Sequence, residues 1–90
     1  MLRIVWTDEA VEDLETIAAY VAARNLPAAR RLTGLIFDAI ERLGDYPHAY
    51  RIGRVEGTRE AVVHPNYIVV YRVDTLVRVL AIVHASRQYP

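Results

Sequence analysis

The chain contains no cysteine and no lysine. Without cysteine there are no disulfides and no thiolate metal sites. Without lysine, all eleven positive charges are arginine. Arginine grips phosphate and carboxylate with a planar fork but keeps its proton, so acid–base chemistry would fall to the three histidines, the six tyrosines or the carboxylates. Net charge is zero. It is polarised, however: residues 1–45 carry 5 arginines against 8 acids, and residues 46–90 carry 6 against 3. No apolar run approaches the roughly 18 residues of a membrane span, and nothing resembles a secretory leader, so the expected location is the cytoplasm, away from membranes. The sequence also lacks a glycine-rich phosphate loop, a His-x-x-x-His pair, paired carboxylates at a strand end and a Gly-x-Ser-x-Gly elbow. Neither a metal ion nor a nucleotide cofactor is expected. At 90 residues the chain makes one domain, 1–90, burying about 60% of its unfolded surface.

What is present is strong periodicity. Residues 2–6, LRIVW, read as a short strand, and Thr7 followed by Asp8 and Glu9 is an N-cap with acids in the first turn. Ala10, Leu14, Ile17, Ala18 and Val21 then share one helical face as far as Arg24. Asn25 caps a second helix with Pro27 in its first turn, and Ala28, Leu32, Leu35, Ile36, Ala39 and Leu43 keep the spacing to a stop at Gly44. Residues 45–57 show turn formers and no period, and so read as a loop. From Thr58 onward, β-branched and aromatic runs alternate with breaks at Pro65-Asn66 and Asp74-Thr75, the pattern of a three-strand antiparallel meander. The expected fold is α+β in the order β-α-α-β-β-β, with a helical hairpin packed on an antiparallel sheet.

Strand alternation sorts the polar candidates. Tyr67, Val69 and Tyr71 oppose Ile68, Val70 and Arg72, while Val77, Val79, Ala81 and Val83 oppose Arg78, Leu80, Ile82 and His84. Setting the second valine-rich row against the helices leaves Arg78 and His84 on the open face beside Arg72. His84 is then either a hydrogen-bonded strand-end residue or a target contact, with Arg87 and Tyr89 close behind it. His64 reads as a turn residue, Tyr67 and Tyr71 as packing, and Arg72 as an ion-paired sheet residue with Glu60 or a functional cation. Arg51 and Arg54 are solvated loop charges unless they join Arg59 and Arg87 in one patch for an anionic target. Tyr20 and Phe37 fall off the core stripes, at about 120° from Leu14 and about 100° from Ile36, so these rings either cover a helix flank or await a partner.

The ordered set Trp6-x-x-x-Ala10-x-x-Asp13-Leu14, Arg51-x-Gly-Arg-Val-x-Gly-Thr-Arg-Glu60, His64-Pro-Asn-Tyr-Ile-Val-Val-Tyr-Arg-Val73 and Val83-His-Ala-Ser-Arg-Gln-Tyr-Pro90 resembles the RelE/ParE superfamily of type II toxins, and is most similar to its ParE branch. The likeness spans nearly the whole chain. It implies a small bacterial toxin held silent by a cognate antitoxin that wraps it, with Tyr20 and Phe37 as candidate antitoxin contacts. It implies too that operator DNA is reached only through the antitoxin. The superfamily divides by target. ParE-like members are typically DNA gyrase inhibitors without known catalysis, which would make Arg51, Arg54, Arg59, His84, Arg87 and Tyr89 target-binding residues. RelE-like members cut messenger RNA on the ribosome, for which Arg59, Arg72, His84, Arg87 and Tyr89 are the available groups. This chain has Arg51 and Arg54 where such nucleases tend to carry a lysine cluster. The resemblance therefore favours gyrase inhibition, with the mRNA interferase, and a degenerate toxin kept only to bind the antitoxin, as alternatives.

Overall fold

A computed structural model describes residues 1–87 and 89–90. Its elements are β1 (Ile4–Trp6), α1 (Asp8–Ala22), α2 (Leu26–Leu43), β2 (Arg51–Ile52), β3 (Thr58–His64), β4 (Tyr67–Val73) and β5 (Val77–His84). Both helices start where the sequence places their caps. The Thr7 Oγ1 accepts the Ala10 N–H at 3.2 Å and the Asn25 Oδ1 accepts the Ala28 N–H at 3.0 Å, satisfying backbone donors that the first turn leaves unpaired. Gly44 ends α2 in a right-handed conformation, φ −62°, so its value is spatial. Its carbonyl accepts the Leu2 N–H at 2.8 Å, and a Cβ there would stand 2.8 Å from the Leu2 carbonyl oxygen.

The sheet order is β1-β5-β4-β3-β2. Two features depart from the expected meander. The 45–57 segment contains β2, which pairs Arg51 with Glu60 and Ile52 with Arg59, and β1 joins the far edge parallel to β5. The order is thus β-α-α-β-β-β-β in a mostly antiparallel sheet. The helices lie on one face and enclose Leu14, Ile36, Ile40, Leu43, Val69, Tyr71, Val77, Val79 and Ile82. Each fully buried aliphatic side chain in this set contributes about 1.5–3 kcal/mol of transfer free energy.

Two bulges overturn the simple alternation. In β5 the partners run Val70↔Ala81 and then Tyr71↔Val79, so Leu80 is an extra residue. In β3 they run Val62↔Ile68 and then His64↔Tyr67, so Val63 is extra. A bulge transfers every later side chain to the opposite face. Past Leu80 it is Ile82, not Ala81 and Val83, that meets the helices, and His84 follows Ile82 to that side. The expected placement of His84 beside Arg78 and Arg72 on the open face is therefore corrected. Contacts from Thr7, the N-cap of α1, and from Asp13 within it hold the bulged segment. Thr7 donates from its N–H to the Val79 carbonyl (3.0 Å) and from its hydroxyl to the Leu80 carbonyl (3.1 Å), and the Asp13 carboxylate accepts the Ile82 N–H at 2.9 Å. Where β1 stops, α1 supplies the missing edge partners. No helix among the described residues is long and apolar enough to cross a membrane.

Candidate functional site

The two bulges together build a ladder of three rings. His64 and His84 are the cross-strand partners of Tyr67 on its two sides. Ring centroids lie 5.7 Å apart for His64–Tyr67 and 5.6 Å for Tyr67–His84, the second pair edge-on. Facing them across a groove of about 780 Å³ are Glu12, Asp13, Thr16 and Tyr20 of α1, with Arg87 also on the lining. Arg87 is exposed and forms no ion pair among the described residues. Tyr89 is half-buried just beyond.

Backbone donors set the histidine tautomers. The His84 Nδ1 accepts the Ser86 N–H at 3.1 Å and lies 2.8 Å from the Ser86 hydroxyl, while the His64 Nδ1 accepts the Asn66 N–H at 3.0 Å. A neutral imidazole that accepts at Nδ1 carries its proton on Nε2. Each ring thus retains a donor, and no lone pair, at Nε2. Taking a proton there would require the other tautomer and the loss of a backbone hydrogen bond.

The basic candidates from the 51–60 segment lie elsewhere. Arg59 pairs with Tyr71 and His84 with Tyr67, so about four residues of β4, roughly 13 Å, separate the two rows. Arg59 and its neighbour in β2, Ile52, thus lie toward the other end of β4 from the His84 row. Arg51 is bound to Glu60 through Nε (3.2 Å) and Nη2 (3.0 Å), and the Arg54 N–H takes the other Glu60 oxygen at 3.0 Å. Glu60 thus pairs with Arg51 rather than with Arg72, as the sequence had suggested. Arg59 reaches back to the Tyr50 carbonyl at 2.7 Å and the His48 carbonyl at 3.4 Å. Beside it the buried Tyr71 donates its hydroxyl to the Pro47 carbonyl at 2.8 Å. Burial pushes the Tyr71 phenol up to about 12, against the pull of the Arg59 charge and helped by Tyr50. Arg59 and Tyr71 hold the loop before β2 in place.

Tyr20 and Phe37 are exposed, as their helical positions imply, at 59% and 46%. Tyr20 carries the Arg24 guanidinium 3.8 Å above its ring, and Phe37 lies 5.4 Å from the Trp6 ring. Two parts of the groove go beyond what the sequence announces: the apposition of His64 and Tyr67 to His84, and the polar face of α1. Nothing local announces them, since neither bulge residue is a glycine or proline. Among the described residues no group of three His, Asp or Glu side chains is placed to hold a metal ion.

Comparison with known proteins sets this geometry in a family. Residues 4–89 match the model of the ParE toxin of the type II toxin–antitoxin system, parDE. The chain is 38% identical over 89 residues to Y4kP of Sinorhizobium fredii, named as a toxin, covering 98% of this chain and 93% of that protein. It is 36% identical over 88 residues to Toxin RelE2 of Caulobacter vibrioides, covering 97% and 99%. Its fold is similar to a chain of the chromosomal ParDE TA system from P. aeruginosa, with TM-score 0.84, 22% identity and coverage of 93% and 96%. It is also similar to a chain of the toxin–antitoxin complex RelBE2 from Mycobacterium tuberculosis, with TM-score 0.69, 24% identity and coverage of 92% and 96%. With two toxin relatives matched almost end to end and the family model spanning nearly every residue, this chain belongs to the ParE toxin family of type II toxin–antitoxin systems.

Proposed function

We propose that this protein arrests growth by binding a macromolecular target, with DNA gyrase favoured, and that a cognate antitoxin silences it by covering the helical hairpin. The observation that carries the binding reading is the hydrogen bond from the Ser86 N–H to the His84 Nδ1. It leaves His84 a donor at Nε2, suited to recognition and unsuited to proton abstraction. Cleavage by a ribose 2′-hydroxyl needs a base and cations within a few ångströms of one phosphate. Here Arg59 is bound to loop carbonyls, and Arg72 lies toward the other end of the sheet from the histidine ladder. Support for the antitoxin surface comes from the exposed apolar side chains Val11, Tyr20, Leu26, Leu35 and Phe37 on the two helices, and from the shallow alanine-lined groove between them. Open apolar surface of this kind on a small domain suits a partner helix laid in a groove.

The second reading, a RelE-like mRNA interferase, draws on Tyr67, His84 and Arg87 lining one groove, where they could contact a phosphate. Expression of the chain without its antitoxin distinguishes the readings. Growth arrest with a DNA-damage response and intact transcripts is expected; arrest with transcript cleavage would favour the nuclease, and normal growth with soluble protein would favour a degenerate antitoxin-binding module.

A further inference from the structure

The sheet face turned away from the helices holds a pair of like charges that no described residue balances. Arg72 of β4 and Arg78 of β5 are direct cross-strand partners, flanked in the same row by Thr58 of β3 and Val5 of β1. Like charges set directly opposite each other destabilise a sheet. The acid in the neighbouring row, Glu60, is already engaged at both oxygens by Arg51 and by the Arg54 N–H. Arg51 and Glu60 form an ion pair at 3.0 Å, and no described residue forms one with Arg72 or Arg78.

Arg72 is also not free to swing away. It is half-buried, and its guanidinium lies against Gly57, where an added Cβ would collide with Nη1. Gly57 has a φ of 81°, so a glycine there provides both the turn and the room for this guanidinium. The fold therefore sets two arginines opposite each other on one sheet face, fixes the guanidinium of one against Gly57, and gives neither an ion pair with a described residue.

We propose that Arg72 and Arg78 form a carboxylate-binding site that receives an acidic side chain of a protein partner on the open face of the sheet. Two guanidiniums on adjacent strands can share one oxyanion, each through charge-assisted hydrogen bonds. A protein carboxylate is favoured over nucleic-acid phosphate by two observations. Within β4 and β5 the rows beside the pair, Val70 with Ala81 and Ile68 with Val83, are aliphatic and offer no ring for a base to stack on. The chain as a whole is neutral, with pI near 6.8, and lacks the basic surplus of a nucleic-acid binder. The site lies on the opposite side of the sheet from the helical hairpin assigned above to the antitoxin, and it holds whichever target the toxin has.

The test uses the purified full chain with a hexaglutamate peptide, and a ten-nucleotide RNA as the competing probe, at matched ionic strength. Hexaglutamate is expected to raise the wild-type melting temperature and to bind at least about tenfold more weakly to Arg72→Gln and to Arg78→Gln, with Arg42→Gln on α2 unaffected. Without peptide at low salt, both variants are expected to melt no lower than wild type, because each relieves the repulsion. Equal peptide binding by all four proteins would overturn the proposal. So would tighter, Arg72-dependent binding of the RNA, or a lower melting temperature of both peptide-free variants, which would make the pair structural.

Discussion

Removing the Tyr71 hydroxyl should leave an alkaline signature. The phenol is fully buried, donates to the Pro47 carbonyl at 2.8 Å and has its pKa pushed by burial from 10.0 to about 12. Below pH 10 the folded and unfolded chains both keep this proton, and the stabilisation is fully present. Between pH 10 and 12 the unfolded chain releases it while the folded chain holds it, so stability falls by about 1.4 kcal/mol per pH unit, roughly 3 kcal/mol in all. Tyr71→Phe deletes that step. At pH 8 the variant should be less stable by about 1–3 kcal/mol, because the Pro47 carbonyl loses its donor. The deficit should shrink by about 2 kcal/mol by pH 11.5, since only wild type still has this proton to lose. Urea midpoints of both proteins from pH 8 to 11.5 measure the difference, and subtraction cancels the other tyrosines. A wild-type-minus-variant difference that stays constant over that range would show that the folded chain does not hold the Tyr71 proton above its ordinary pKa.

Asp13→Ala should cost about 1–3 kcal/mol by leaving the Ile82 N–H without its acceptor, whereas Asp13→Asn, which keeps a carbonyl oxygen, should cost less; equal midpoints for all three proteins in urea would show that the α1 contact does not hold the bulged strand. Tyr20→Ala and Phe37→Ala should each weaken antitoxin binding by about 1–3 kcal/mol with the fold retained. Calorimetry showing unchanged affinity, or circular dichroism showing loss of structure, would assign those rings to packing, and the Trp6 contact makes Phe37 the stricter case.

The helices and the β3–β5 meander were legible because their signals are local. Thr7 and Asn25 cap where they stand in the sequence, and the breaks at Pro65-Asn66 and Asp74-Thr75 separate the long strands. β2 was not legible, because Arg51 and Ile52 are exposed and are ordered by their pairing with Glu60 and Arg59, a contact no sequence period encodes. The parallel docking of β1 on β5 joins residues more than seventy positions apart and is equally silent in the sequence. The candidate site suffered most from the bulges. Alternation set His84 with Arg78 and left His64 in a turn, and single extra residues, Leu80 and Val63, carried both rings round to Tyr67. Arg59 stands out in the sequence as a polar strand residue, but the carbonyls of His48 and Tyr50 that occupy it lie in a segment without any pattern of its own.

On the proposed function, the groove beside the ring ladder acts by recognition and not by proton transfer. Gyrase supercoiling run beside single-turnover cleavage of ribosome-bound message, with wild type, His84→Gln, Tyr89→Phe and Arg87→Ala, separates the two. Recognition requires gyrase inhibition by wild type, mild loss on replacing His84 or Tyr89, strong loss on replacing Arg87, and no message cleavage. Message cleavage by wild type that falls by about 10²–10⁴-fold in His84→Gln or Tyr89→Phe while binding persists would contradict it.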